Sequence, residues 1–274
     1  MEKKKKFYVV GTPIKHSKSP IIHQQFAAQF GLTIDYRILE VGRGNLAHFL
    51  ATARDEDVKG INVTVPLKEE AWRLADESSP RVRSAKAANT LWFEGSKLLA
   101  DNTDGIGIIK ELETNIGFSL RSTKVLIIGA GGAARGILGP LSQKRPSLIM
   151  LTNRTIEKSE LLAEQYGRDK ITILKWGQKI SEPADLIINC TSLSLSGKIP
   201  NLHENAIGRK TICYDMAYGS GETAFVAWAV NRGAYLAVDG LGMLVEQAAE
   251  SFKIWHGVEP QTSEVIARLR ENIF

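Results

Sequence analysis

From Phe7 onward the chain alternates short apolar runs with longer stretches whose apolar residues recur at helical spacing. "FYVVG" predicts a strand, followed by a helix from about Pro20 to Phe30 with Ser19 as N-cap and Gly31 as its stop. "DYRILEV" and "GINVTV" read as strands on either side of the helical "NLAHFLATAR". Pro66 suits the first turn of a helix over "LKEEAWRLAD". A second short helix is predicted near Pro80 to Lys86, and "NTLWFEGSKLLADNT" reads as two extended runs joined by a glycine-containing turn.

Asp104 opens a further helix that leads to the polar connector "NIGFSLRST". Strand and helix signals then alternate through "KVLII", "ARGILGPLS", "SLIMLTN", "TIEKSELLAEQY", "ITIL", "DLIINC", "TICYDM", "TAFVAWAVN" and "AYLAV". Such alternation implies a parallel sheet covered on both faces. In "LGMLVEQAAESFKIWHG" the residues Leu241, Leu244, Val245, Ala248, Ala249, Phe252 and Trp255 form one apolar helix face, ending at Gly257. A last helix is predicted over about Ser263 to Glu271. These two helices are expected to pack back on the first domain and make it discontinuous.

The apolar run "VLIIGAGGAARG", Val125 to Gly136, breaks into glycines near the middle of the chain. Gly129, Gly131 and Ala134 fit the G-x-G-x-x-G/A turn between a strand and a helix, where the backbone approaches a pyrophosphate and the helix N-terminus offers free N–H groups. Gly129, Ala130, Gly131, Gly132 and Ala133 are therefore candidate nucleotide contacts. Because this turn usually opens its domain, the preceding residues form something else. The division read from the chain is 1–103 with 240–274, and 104–239 as the dinucleotide-binding part.

The length of 274 residues and 43% hydrophobic content suit a two-domain globular protein. Of the formal charge of +5, residues 1–6 carry four lysines and one glutamate, which leaves +2 on the rest. That balance argues against a nucleic-acid partner, and the lysine run is expected to be a solvated, mobile terminus. No signal peptide or membrane span is read, so a cytoplasmic protein is expected. Cys190 and Cys213 sit in apolar surroundings and are expected to be buried thiols. The sequons at Asn62, Asn153 and Asn189 are read as chance matches, and the five histidines show no metal spacing, so no metal is expected.

Where NAD sites carry an acidic residue at the end of the second strand, this chain reads "TNRT", with Asn153 lying 24 residues past Gly129. Arg154 offers a planar cation for a 2′-phosphate, and Lys158 lies four residues further along the next helix. This pattern reads as NADP preference. The alternative is that Thr155 caps a helix beside a solvated basic turn.

Three stretches of the first domain gather small polar side chains: "HSKSP", "NVTVPLK" and "AANT" with "DNTDG". Each has a structural explanation alone. Ser17 and Ser19 suit a helix cap, Lys68 a solvated first turn, and Asn89, Asp101 and Asp104 turns and caps. Beside a dinucleotide site they also suit chemistry on a small polar substrate.

Taken in order, "GTPIKHSKSP", "NVTVPLKEEA", "AANTL", "DNTDG", "IGAGGAARG", "TNRT", "YDMAY" and "DGLGMLVEQAA" resemble the shikimate dehydrogenases, and the likeness runs from Phe7 to the final helix. The resemblance implies a discontinuous N-terminal substrate-binding α/β domain plus a Rossmann-type NADP-binding domain, with the active site in the cleft between them. It implies reversible NADPH-dependent reduction of 3-dehydroshikimate to shikimate, on the route to chorismate and the aromatic amino acids. By the same resemblance Lys68 and Asp104 are the catalytic pair. Ser17, Ser19 and Tyr218 face the substrate carboxylate; Thr64, Asn89 and Gln247 address hydroxyls and the ring. Met216 and Gly240 border the nicotinamide, with Thr191, Ser192 and Leu193 near its ribose and phosphates, and Asn153, Arg154, Thr155 and Lys158 at the adenosine end. The domains are expected to close over the substrate, and the protein to be a monomer or homodimer.

The chemistry is consistent with those roles. Hydride transfer onto a ketone builds negative charge on oxygen, which calls for a positioned proton donor or cation. A lysine serves when burial eases loss of its proton, while a neighbouring aspartate orients it and counters that shift. Three positions depart from the family pattern: Lys86 and Ser194 where small residues or glycine are common, and Ala224 where proline is usual. Two other readings stand beside the leading one. A quinate/shikimate dehydrogenase accepting NAD would carry an acidic group near 154, and a catalytically silent nucleotide-sensing module would have lost Lys68 or Asp104.

Overall fold

The computed structural model describes residues 4–167, 170–219 and 221–271. Two compact units divide the chain: Met1–Ile108 with Val245–Ala267, and Ile109–Leu244 with Arg268–Phe274. Each holds its own six-stranded sheet, so the protein is a two-domain α/β fold.

In the first unit the elements run β1 (Lys5–Gly11), α1 (Ser19–Gln29), β2 (Ile34–Glu40), α2 (Leu46–Asp55), β3 (Val58–Val63) and α3 (Lys68–Leu74). They continue with β4 (Glu77–Ser78), α4 (Pro80–Ala85), β5 (Thr90–Glu94), β6 (Lys97–Asp101) and the start of α5 (Asp104–Lys110). The sheet order is β2-β1-β3-β5-β6-β4. β1 pairs in parallel with both β2 and β3, whereas the β5–β6 hairpin joins β3 antiparallel. One face buries Val10, Leu50, Ile61, Leu67, Val82 and Leu91. The two-residue β4 has no period long enough to be read from sequence.

Several local expectations are corrected. Lys5 and Lys6 are not part of a mobile tail: both lie in β1, paired with Ile34 and Asp35 of β2, and Lys6 Nζ donates to Glu56 at 2.8 Å. The ladder satisfies their backbone, and Met1 to Lys3 lie outside the described residues. Ser19 is the first residue of α1 rather than its cap; Ser17 Oγ instead accepts from the Ser19 amide at 3.3 Å. Pro66 precedes α3 by two residues, in a turn closed by Leu67 N donating to Thr64 O, with a cis bond to Val65. Lys86 ends α4 in the left-handed region at φ 51°, a conformation that costs any residue with a Cβ about 1 kcal/mol and that glycine alone adopts freely.

The second unit runs β7 (Lys124–Ile128), α6 (Gly132–Gln143), β8 (Leu148–Thr152), α7 (Ile156–Tyr166), β9 (Ile171–Leu174), β10 (Leu186–Asn189), β11 (Ile212–Asp215), α8 (Ala224–Asn231) and β12 (Leu236–Val238). The order β12-β11-β10-β7-β8-β9 is parallel throughout and doubly wound from β7, the arrangement that places ligands at the carboxyl ends of its strands. All four residues of β10 and of β11 are buried, as both-face coverage demands. α5 continues into a π-helical turn, Glu111–Asn115. Cys213 is buried, but Cys190, at the end of β10, is only partly so, and neither forms a disulfide. α9 (Leu241–His256) and α10 (Ser263–Glu271) complete the chain, and Val245–Ala267 of these belong to the first unit.

There α9 closes the second face of the first sheet. His23 is fully buried and stacks on Tyr36 at 4.5 Å, with Phe252 and Trp255 beside it. Gly60 is required below, since a Cβ there would lie 2.4 Å from the Trp255 ring. Burial, and then repulsion from His256, push the His23 pKa down to about 3. The unfolded chain therefore takes up a proton near pH 6.5 that the folded one refuses, so this part of the stability is complete above pH 6.5 and is lost as pH falls toward 3. The slope from this one group reaches about 1.4 kcal/mol per pH unit. His23→Phe is expected to flatten the acid limb of urea-measured stability between roughly pH 4 and 6.5; an unchanged slope would place the acid sensitivity elsewhere.

Candidate active site

The polar motifs of the first unit sit where β1, β3 and β6 end. Thr64 follows β3, and its methyl group rests against Gly11 at the end of β1, where a Cβ would lie 2.5 Å away. Lys68 opens α3, and its backbone carbonyl accepts from Ala88 N at 2.8 Å. Asp104 opens α5, where a carboxylate complements the helix dipole. Lys68 Nζ donates to Asp104 Oδ2 at 2.6 Å, with side-chain exposures of 14% and 5%. Two side chains 36 positions apart thus form one partly buried ion pair.

Asn89 completes the cluster. Its Oδ1 accepts from the Thr103 amide at 2.9 Å and from Thr90 Oγ at 2.9 Å, which turns Nδ2 toward Asp104 Oδ1 at 2.9 Å. Gln247 Oε1, from α9, lies 3.1 Å from the same nitrogen. Behind them Ser251 Oγ lies within 3.2 Å of Asn62 Nδ2, Thr90 Oγ and Thr103 Oγ. Of the side chains expected from sequence, Lys68, Asp104, Asn89 and Gln247 are joined by hydrogen bonds. Ser17, on the loop into α1, and Ser19, its first residue, form a separate pair at 3.2 Å, and the half-buried Tyr218 follows β11 in the other unit. Thr103, Asn62, Thr90 and Ser251 escaped the sequence reading; the first three flank or lie within the quoted motifs, but Ser251 shows no signal beyond being one turn past Gln247.

In the second unit β7 runs into Gly129, at φ 105°, where a Cβ would crowd the Cys190 carbonyl and Thr191 at 3.3 to 3.4 Å. Gly131, the N-cap of α6, is exposed and a Cβ there would meet no protein atom within 4 Å, so the chain is open at this helix N-terminus, while Ala130 before it is buried. Ala134, at the third small position, is fully buried against the sheet. After β8, Asn153 Nδ2 donates to Thr155 O at 2.7 Å and shapes the turn that leaves Arg154 and Lys158 exposed. Thr155 is the N-cap of α7 but makes no side-chain capping bond, so the cap alone does not account for this turn. Asn189 Oδ1 accepts from the amide and hydroxyl of Thr191, at 3.1 and 2.7 Å, and so orders the loop through Ser192 and Leu193. Ser194 uses its extra hydroxyl to accept from Asn189 Nδ2 at 3.2 Å. Gly240 is tied to Ala217 O through its amide, and a Cβ would come within 2.4 Å of the Met216 carbonyl. These features fit a dinucleotide with a 2′-phosphate.

Family models for the shikimate dehydrogenase substrate-binding domain, the shikimate/quinate 5-dehydrogenase domain and the shikimate 5'-dehydrogenase C-terminal domain match residues 9–91, 111–207 and 240–270. The shikimate dehydrogenase (NADP(+)) of Marinobacter nauticus is 46% identical, with 96% of this chain and 98% of that protein covered. The chain belongs to the shikimate dehydrogenase family. Its counterpart in Alkalilimnicola ehrlichii is 44% identical over 97% of this chain and 98% of its own. The Thermus thermophilus shikimate 5-dehydrogenase solved with NADP(H) and shikimate superposes with a TM-score of 0.87 at 28% identity, covering 97% and 99% of the two chains. The family's two-domain α/β fold is the one seen here, and no helix among the described residues is long and apolar enough to cross a membrane.

Proposed function

We propose that this shikimate dehydrogenase family member reduces 3-dehydroshikimate reversibly to shikimate with NADPH, and that Lys68 and Asp104 are its reacting pair. What carries the reading is the intact 2.6 Å contact between Lys68 and Asp104, held by Asn89 in a mostly buried setting. A silent module has no need to bury such a pair, whose desolvation opposes stability.

Bound NADPH supplies the hydride. Lys68 Nζ carries the proton that the ketone oxygen takes as its charge develops, and Asp104 aims that ammonium and accepts from a ring hydroxyl. Asn89, Gln247 and Thr64 orient the remaining hydroxyls. Ser17, Ser19 and Tyr218 donate hydroxyl protons to the carboxylate, recognising an anion with neutral donors. The turn from Gly129 to Ala133 and the loop Thr191 to Leu193 would hold the pyrophosphate and ribose, Met216 and Gly240 would border the nicotinamide, and Asn153 to Thr155 with Lys158 would take the adenosine end. The buried Cys213 thiol, pushed up to about 12 by burial, stays protonated. We place the enzyme in the cytoplasm as a monomer or homodimer without a nucleic-acid partner.

Nicotinamide absorbance followed with shikimate and quinate, each with NADP⁺ and NAD⁺, tests the reading. Shikimate with NADP⁺ is expected to give the highest kcat/KM. A preference for quinate with NAD⁺ would favour the broader quinate/shikimate enzyme, and no turnover on any pair would favour a silent module.

A further inference from the structure

We infer that Arg81 is a positioning residue for the reaction, acting through Asp101 to hold the turn that presents Asp104; this rests on the Lys68–Asp104 reading above. Arg81 Nε and Nη2 grip Asp101 Oδ1 and Oδ2 at 2.9 and 2.6 Å, a two-pronged bond whose planarity fixes the carboxylate's orientation. Ser79 Oγ and the Asn102 amide each add a bond to Oδ1 at 2.6 Å. Burial opposes ionisation of Asp101, but the bonds from Arg81 and Ser79 and the Arg81 charge outweigh it and hold its pKa below the ordinary carboxylate value.

Every residue between this anchor and Asp104 is tied to the neighbouring 87–89 segment. Asp101 O accepts from the Asn89 amide at 3.1 Å, and Asn102 Nδ2 donates to Ala87 O at 2.8 Å. Thr103 N donates to Asn89 Oδ1 at 2.9 Å, and Asn102 Oδ1 accepts from the Asp104 amide at 3.1 Å. The turn therefore has one charged fastening at its start and the reacting carboxylate at its end. Glu250 Oε1 of α9 lies 3.3 Å from both Arg81 terminal nitrogens and gives the guanidinium a second carboxylate partner. A function confined to stability would not need the fork to fall on the strand end that sets Asp104, three residues on.

Arg81→Ala is expected to lower kcat by about 10- to 100-fold, the scale of a small misplacement of a reacting group, with KM for NADP⁺ nearly unchanged. Because the Arg81 side chain is 31% exposed, guanidinium added to the solution can enter, and it is expected to restore part of kcat where methylammonium does not. In a Lys68→Ala background the same change is expected to have little further effect, since both act on one pair. Unchanged kcat in Arg81→Ala, or a fall that guanidinium leaves untouched and that adds in full to Lys68→Ala, overturns the inference. Full turnover by Lys68→Ala alone would instead remove the reading of the site on which it rests. Should the alanine variant not fold, Arg81→Lys carries the same test, because it keeps the charge and loses the fork.

Discussion

Lys68→Ala is expected to lower kcat by roughly 100- to 10,000-fold, the range for removing a positioned proton donor, while NADPH affinity stays nearly normal. Lys68 Nζ donates to Asp104 Oδ2 at 2.6 Å and belongs to the unit that lacks the glycine turn. Its loss removes the charge proposed to meet a developing alkoxide but none of the groups proposed to hold the nucleotide. Steady-state kinetics with direct NADPH titration separate the two quantities. A variant that loses both equally would show that Lys68 supports the fold or the nucleotide rather than the chemistry. Removing Lys68 also leaves the buried Asp104 carboxylate held by Asn89 without its cation, so the variant's unfolding curve belongs beside its rates.

Arg154→Ala is expected to weaken NADPH by about tenfold to a hundredfold and NADH hardly at all, because the charged hydrogen bond proposed for Arg154 needs a 2′-phosphate, which only one of the two cofactors carries. Arg154 is exposed after β8, where NAD sites carry an acidic side chain, and the neighbouring Asn153 bond to Thr155 O fixes the turn without consuming the guanidinium. Because the residue is exposed, the effect should shrink as salt rises. The ratio of NADPH to NADH dissociation constants reads this directly, and a ratio unmoved by the substitution would leave Arg154 as a solvated basic turn.

The elements that the chain announces are those whose pattern closes within one strand or helix. α10 and the strand from Lys124 lie where the periodicity puts them, and the glycine turn follows β7 and opens α6 as its spacing requires. Where the sequence reading failed, the deciding partner was distant. Lys5 and Lys6 read as a tail because their charge is local information, whereas the ladder that orders them comes from β2, some 30 residues later. Pro66 suits a helix start equally well from sequence, and only the turn built by Thr64 and Leu67 places it outside.

By itself the sequence determined the alternation of strands and helices, the glycine turn and the identity of the polar side chains available, because hydrophobic period and backbone freedom are properties of neighbouring residues. Only the tertiary structure decided the mixed order of the first sheet, the junction of Lys68 with Asp104 and Asn89, and the network through Ser251, which reaches Asn62 across 189 positions. Buried polar groups must find partners wherever the packed elements bring them, and that requirement leaves no period in the chain to read.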